Sequence, residues 1–223
     1  MTAPLLVFDL DGTLVDTADD LIATLNVILA DEGIRTMTRA EAGSLLGAGV
    51  RAMIARGFAL VDRTIEAEHL DRLFDRFIPL YTRSIAVHSR PFPGVVATLD
   101  RFEAAGWRLA VCTNKLEGLS RLLLGELGLA DRFAAICGGD TFAVKKPDAG
   151  HLLGTIARAG GVRERAVMVG DSGTDVKAAR NAEVPVVAVT FGYTDAPVET
   201  YGPDVVIDRF DQLWEAVAGL GRG

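Results

Sequence analysis

The chain has 223 residues, enough for one large domain or a domain with a sizeable insertion, and its usage of 49% apolar and 24% charged residues is that of a globular protein. A formal net charge of −7 excludes a nucleic-acid binder held by bulk charge, so an anionic substrate has to be drawn by local lysines or a metal. Two cysteines, Cys112 and Cys137, exclude a disulfide framework, and their apolar neighbours mark them as small buried hydrophobes in a reducing compartment.

The chain begins MTAPLLVFDL, with no basic segment and no long apolar stretch, and it has no run long enough to cross a bilayer. The expectation is a cytoplasmic protein acting on small molecules, without nucleic-acid or membrane partners. Residues 4–10, PLLVFDL, read as a first strand. Residues 16–88 then carry no convincing strand. They are helical in pattern over 17–33, 38–57 and 66–87, with apolar residues at three- and four-residue steps. At 90–94, RPFPG marks the end of this module. Beyond it, helix-like segments at 94–106, 116–128, 148–160 and 174–183 alternate with apolar runs at 107–114, 134–137, 166–171, 184–190 and 204–208. Continuous apolar runs of this length suit strands buried on both faces of a parallel sheet, and their alternation with helices predicts βαβ units. The predicted architecture is α/β, a Rossmann-like parallel sheet core of residues 1–15 and 89–223 with a helical module, 16–88, inserted after the first strand.

Three strands end in polar residues: Asp9 with Asp11 just beyond, Thr113 with Asn114, and Gly170-Asp171. Ligands bind outside the carboxyl ends of strands in open parallel sheets, so these three ends are candidates for one site. Asp9 and Asp11, spaced i, i+2, fall on one side of an extended segment, and two bare carboxylates so close raise one another's pKa. A hard divalent cation removes that conflict. Gly12 permits a sharp turn, and Thr13 offers a hydroxyl donor. Asp171 and Asp175 share a face if a helix starts there. Capping by Asp171 or Ser172 explains one of these acids and not all of them. Lys145 or Lys146, before Pro147, supplies a cation for a phosphate.

In order, Asp9-x-Asp11-Gly12-Thr13, Thr113 after a hydrophobic strand, Lys146-Pro147, and Gly170-Asp171-x-x-x-Asp175 resemble the four motifs of the haloacid dehalogenase superfamily of phosphatases over nearly the whole chain. The stretches FDLDGTLVDTADDL, GAGV, FPGV, CTNK, CGGDTF and VGDSGTD look like its phosphoglycolate phosphatase group, and the insertion looks like that family's cap domain.

The resemblance implies Asp9 as nucleophile forming an aspartyl-phosphate and Asp11 as general acid, then base. It implies Thr113 and the Asn114 backbone on phosphate oxygens, beside Gly12 and Thr13, and Lys146 as the neutralising cation. It also implies Mg²⁺ held by Asp9, the Asp11 carbonyl and Asp171, with Asp175 in support. In the cap, Gly47-Ala48-Gly49 and Arg51 are placed at the substrate's distal end.

The implied reaction is hydrolysis of a small phosphorylated metabolite, 2-phosphoglycolate first, by a monomer or homodimer. A phosphatase of another small metabolite, a sugar phosphate or pyrophosphate, and a phosphomutase such as β-phosphoglucomutase are the alternatives. Asp11 argues against a dehalogenase, which needs no alkoxide protonation. Both aspartates argue against a mere binding module, and the insertion and Lys-Pro argue against a receiver-type regulator. Ala149 departs from the family's Lys-Pro-x-Pro. His69, His88 and His151 read as structural or surface residues.

Overall fold

A computed structural model describes residues 2–47 and 49–221. The chain enters through β1 (Leu5–Phe8) and a two-residue β2 (Val15–Asp16). Four helices follow: α1 (Ala18–Asp31), α2 (Arg39–Ala42), α3 (Val50–Ala59) and α4 (Ala67–Arg83). A second two-residue strand, β3 (Arg90–Pro91), closes this insertion. Then come α5 (Val95–Ala104), β4 (Arg108–Cys112), α6 (Glu117–Glu126), β5 (Ala135–Cys137) and α7 (Ala149–Arg158). The chain finishes with β6 (Ala166–Gly170), α8 (Gly173–Asn181), β7 (Val186–Val189), β8 (Val205–Ile207) and α9 (Leu213–Gly219).

Six strands form one parallel sheet in the order β5-β4-β1-β6-β7-β8. Their apolar runs are continuous because both faces are covered, and alternate residues divide between two cores. Leu6, Phe8, Leu109, Val111, Val167 and Val169 pack on the side of α5, α6 and α9. Leu5, Val7, Ala110, Met168 and Val186 pack on the side of α7 and α8. Cys112 and Cys137 pair in register on this second face, both free and buried, and burial pushes the Cys112 thiol up to about 12. From β1 the chain builds β4 and β5 outward on one side, then returns to build β6, β7 and β8 on the other. The order therefore reverses at β1, whose carboxyl end carries Asp9.

The reading of 38–57 as one helical stretch is corrected. The helix ends at Gly43, a 3₁₀ turn covers Gly43–Leu45, and α3 begins after Gly49, whose φ of 93° is a left-handed value that a side chain would strain. The β2–β3 ladder, Val15 opposite Pro91 and Asp16 opposite Arg90, has no counterpart in the sequence reading, because two residues show no periodicity. α9 was likewise unread. No helix among the described residues is long and apolar enough to cross a membrane.

The two strands of this ladder are the necks through which the insertion leaves and rejoins the sheet. Asp20, buried on α1, holds the returning neck. Its carboxylate accepts from the His88 and Ser89 N–H groups at 3.0 and 2.8 Å and from the Ser89 hydroxyl at 2.7 Å. Hydrogen bonds to a charged acceptor are worth about 1.5–3 kcal/mol each, and losing the acceptor orphans buried donors. Asp20→Ala is therefore expected to lower unfolding free energy by about 3 kcal/mol in urea titration, and Asp20→Asn by less.

Candidate active site

Asp9 lies one residue past β1, where its N–H donates to the Val169 carbonyl of β6 at 2.9 Å. The chain then turns through Gly12, at φ 85°, where a Cβ would stand 2.4 Å from Asp171 Oδ2. Only glycine lets the turn pass this close to the end of β6. Asp171 is held on both oxygens: Thr13 Oγ1 donates to Oδ1 at 2.8 Å and the Tyr193 N–H to Oδ2 at 2.6 Å. Thr13 does offer a hydroxyl, as expected, but it is fully buried and gives it to Asp171.

Asp175 does two things. With Ser172 it forms the capping box of α8, its Oδ2 accepting from the Ser172 N–H and hydroxyl at 3.1 and 2.6 Å. Its Oδ1 accepts from Lys146 Nζ at 2.6 Å. Capping thus accounts for one of its oxygens and leaves the other for the site. The same ammonium lies 2.9 Å from Asp9 Oδ1. Lys146 is buried and Lys145 exposed, which separates the two lysines the sequence left adjacent. The peptide on either side of Lys146 is fixed as well. Its N–H donates to His151 Nδ1 at 3.1 Å, and its carbonyl accepts from Asn114 Nδ2 at 3.0 Å. Burial and Lys146 together hold His151 neutral, its pKa down at about 4, which leaves Nδ1 free to accept the Lys146 N–H.

Asp11 belongs to a second, separate pairing. Its Oδ1 accepts from Lys115 Nζ at 3.0 Å and from Thr17 Oγ1 at 2.8 Å. Lys115 also donates to the Tyr81 hydroxyl of α4 at 2.9 Å. Each of the two aspartates of the first motif therefore has its own lysine. Thr113, nearly buried, accepts from the Lys115 N–H at 3.2 Å.

An opening of about 270 Å³ joins these groups to the insertion. Asp9, Asp11, Thr113, Asn114, Lys115 and Lys146 form its floor, and Gly47, Gly49 and Arg51 lie on its far wall with Phe74, Phe77 and Tyr81. Ala48 falls outside the described residues. Arg51 is half-exposed, ion-paired to Asp71 at 2.9 Å and stacked 3.7 Å over the Phe74 ring. Gly12, Thr13, Asp171 and Asp175 sit behind the floor.

Sequence reasoning missed Lys115, Tyr81 and Tyr193. Lys115 had a signal, a lysine two residues past the polar end of β4. The two tyrosines had none. Tyr193 bridges core and insertion: its hydroxyl accepts from the Thr17 and Ala18 N–H groups at 2.7 and 3.0 Å and donates to Asp16 Oδ1 at 2.5 Å. It thereby satisfies donors at the start of α1 that the Thr17 side chain does not reach, with Asp16 Oδ1 a longer second acceptor for the Ala18 N–H at 3.3 Å.

Carboxylate oxygens of Asp9, Asp171 and Asp175 all lie within 4.8 Å of one another. Burial pushes the Asp9 carboxyl up, Lys146 pulls part of the rise back, and Asp175 adds to it, leaving Asp9 at about 6. Burial, then Asp175 and Asp9, raise Asp171 well above the ordinary carboxylate range. Burial works against the Lys146 ammonium, but Asp175 and Asp9 outweigh it and keep it charged. The three acids meet one ammonium, which contacts Asp9 and Asp175, so the trio is short of positive charge. An all-oxygen donor set of this kind fits a hard divalent cation.

A haloacid dehalogenase-like hydrolase profile matches residues 6–189 of the chain. The chain belongs to this family. It is 52% identical over 215 residues to a phosphoglycolate phosphatase of Agrobacterium fabrum, covering 96% of this chain and 92% of that one. It is 49% identical over 213 residues to a phosphoglycolate phosphatase of Mesorhizobium japonicum, covering 96% and 94%. The crystal structure of a predicted phosphoglycolate phosphatase from Haemophilus somnus superposes with a TM-score of 0.89 at 26% identity, over 97% of this chain and 99% of that one.

For this hydrolase the acid trio has a thermodynamic consequence. Asp9 and Asp171 bind protons more tightly folded than unfolded, so without metal their contributions to stability fall as pH rises, that of Asp9 from about 4 through 6. A bound cation favours the ionised trio. Mg²⁺ is expected to raise Tm more at pH 7.5 than at pH 5.0, by about 3 °C or more, in thermal scans. Equal increments at the two pH values would show that the trio does not hold the ion.

Proposed function

We propose that the protein is a Mg²⁺-dependent phosphomonoesterase whose substrate is 2-phosphoglycolate, with residues 16–88 as a cap over a catalytic core of 1–15 and 89–223. The observation that carries the chemistry is the placing of Asp9 against Lys146, with Asp171 and Asp175 behind it, at the strand-order reversal. Half-identical relatives named phosphoglycolate phosphatase, matched over nearly their whole length, support the substrate.

Asp9 attacks phosphorus in line, forming an aspartyl-phosphate as the ester P–O bond breaks. Asp11 gives its proton to the departing alkoxide, which leaves as glycolate. Asp11, now a carboxylate, takes a proton from water as that oxygen attacks the same phosphorus. The acyl-phosphate P–O bond breaks, Asp9 is regenerated and inorganic phosphate leaves. Lys146, fixed at 2.9 Å from Asp9 Oδ1, offsets charge on the nucleophile and the phosphoryl group throughout. Thr113 and Asn114 sit on the floor where phosphoryl oxygens come to rest.

Asp9, Asp171 and the Asp11 carbonyl would hold Mg²⁺, with Asp175 supporting. The ion supplies positive charge toward the phosphoryl oxygens. The wall from the insertion excludes bulk water when closed over the floor.

The test is phosphate release from 2-phosphoglycolate, sugar phosphates and pyrophosphate, each with Mg²⁺ and with chelator. 2-Phosphoglycolate is expected to lead in kcat/KM, chelator to abolish release, and Asp9→Asn to cost at least ~10³-fold in kcat. A different leading ester overturns the substrate; isomerisation of a sugar phosphate without release overturns the hydrolase.

A further inference from the structure

The phosphoryl chemistry leaves one buried cation of the opening unassigned. The Lys115 side chain is 7% exposed, against 1% for Lys146. Among the described residues its ammonium is partnered by the Asp11 carboxylate, at 3.0 and 3.3 Å, and the Tyr81 hydroxyl at 2.9 Å. It also stands 4.6 Å from the centre of the Tyr81 ring. An ammonium has three N–H donors, and Asp11 can be served by one. Lys115 is thus a desolvated charge at the seam between core and insertion, able to take a further acceptor in place of its longer contact, at 3.3 Å to the second Asp11 oxygen.

The other cations lining the opening are less suited to a second anion. Lys146 is committed to Asp9 and Asp175. Arg51 is half in water and already paired with Asp71. Lys145 is exposed. A charge held out of water discriminates more strongly than a solvated one.

Position supplies the chemical class. Asp11 is assigned to the leaving oxygen of the ester, and Lys115 touches Asp11. In a 2-phospho acid the carboxylate is borne by the same carbon as that oxygen. A substrate whose leaving oxygen meets Asp11 therefore brings its carboxylate within reach of the Lys115 ammonium. Esters with a neutral tail gain no such contact.

We propose that Lys115 is the specificity-determining residue of this site, its ammonium receiving the α-carboxylate of a short 2-phospho acid while the Tyr81 hydroxyl holds that ammonium from the insertion side. The inference rests on the phosphatase reading above and adds the group that selects the acid.

The experiment compares kcat/KM for 2-phosphoglycolate and for 2-hydroxyethyl phosphate, which is of similar size and lacks the carboxylate. It uses the Mg²⁺-loaded full chain as wild type, Lys115→Met, Lys115→Arg, Tyr81→Phe and Arg51→Met. Wild type is expected to favour the acid. Lys115→Met is expected to collapse the ratio of the two esters by about 100-fold, since the site then lacks the partner that the acid requires. Tyr81→Phe should lower the ratio several-fold, and Lys115→Arg should retain more of it than Lys115→Met. Tyr81→Phe and Lys115→Arg decide the matter if Lys115→Met does not fold.

Equal losses on both esters in the Lys115 variants would overturn the proposal, because Lys115 would then act only through Asp11. Collapse of the ratio in Arg51→Met instead, or a wild type indifferent to the carboxylate, would also overturn it while leaving a phosphatase. If another ester leads the wider panel but the acid-to-neutral ratio still collapses in Lys115→Met, Lys115 stands and the substrate falls. No phosphate release from any ester overturns both.

Discussion

The ammonium of Lys146, buried between Asp9 and Asp175, is the contact on which the site depends. A lone buried ammonium is costly, and so is a lone buried carboxylate; together they become tolerable only in fixed geometry. That geometry is enforced from several directions. His151 and Asn114 fix the Lys146 backbone, and the capping box fixes Asp175 to the start of α8. The end of β1 fixes Asp9 through its N–H to Val169. Elements far apart in the chain therefore meet on one charge. Because that charge is single and the acids are three, the arrangement has room for a further cation.

The insertion is joined to this centre by polar contacts at its neck. The Tyr193 hydroxyl satisfies N–H donors at the start of α1, and the Tyr193 N–H holds Asp171. The Thr17 hydroxyl reaches Asp11. One loop after β7 and one helix start thus connect the helical module to two of the acids. Lys115 and Tyr81 make a further bridge across the opening, so the charge lining it is held from both units. Asp9 and Asp11 are paired with two lysines in different settings, Lys146 sealed in the floor and Lys115 at the seam.

Much of the fold was legible because the dominant forces leave periodic marks. All six sheet strands coincide with apolar runs, since a sheet covered on both faces buries its strands, the exposed Arg108 at the start of β4 excepted. The helical stretch 17–33 contains α1 for the same kind of reason. The elements that were misread are those whose cause is not periodic. The break between α2 and α3 is made by glycine backbone conformations inside an amphipathic pattern. β2 and β3 are two residues each, defined only by one another.

The acids of the site were legible too, because chemistry demands carboxylates at strand ends and the motifs are local. Sequence by itself determined the parallel α/β core and the helical insertion, and it marked Asp9, Asp11, Asp171 and Asp175 as candidates together with a lysine next to Pro147. What only the tertiary structure decided is which groups meet: that Lys146 and not Lys145 turns inward, that Thr13 serves Asp171, and that Lys115, Tyr81 and Tyr193 belong at the site. The partners in those contacts lie from 22 residues apart, Tyr193 and Asp171, to 177, Tyr193 and Asp16. Such pairings are set by how the sheet and insertion close on each other, and local sequence holds no record of that distance.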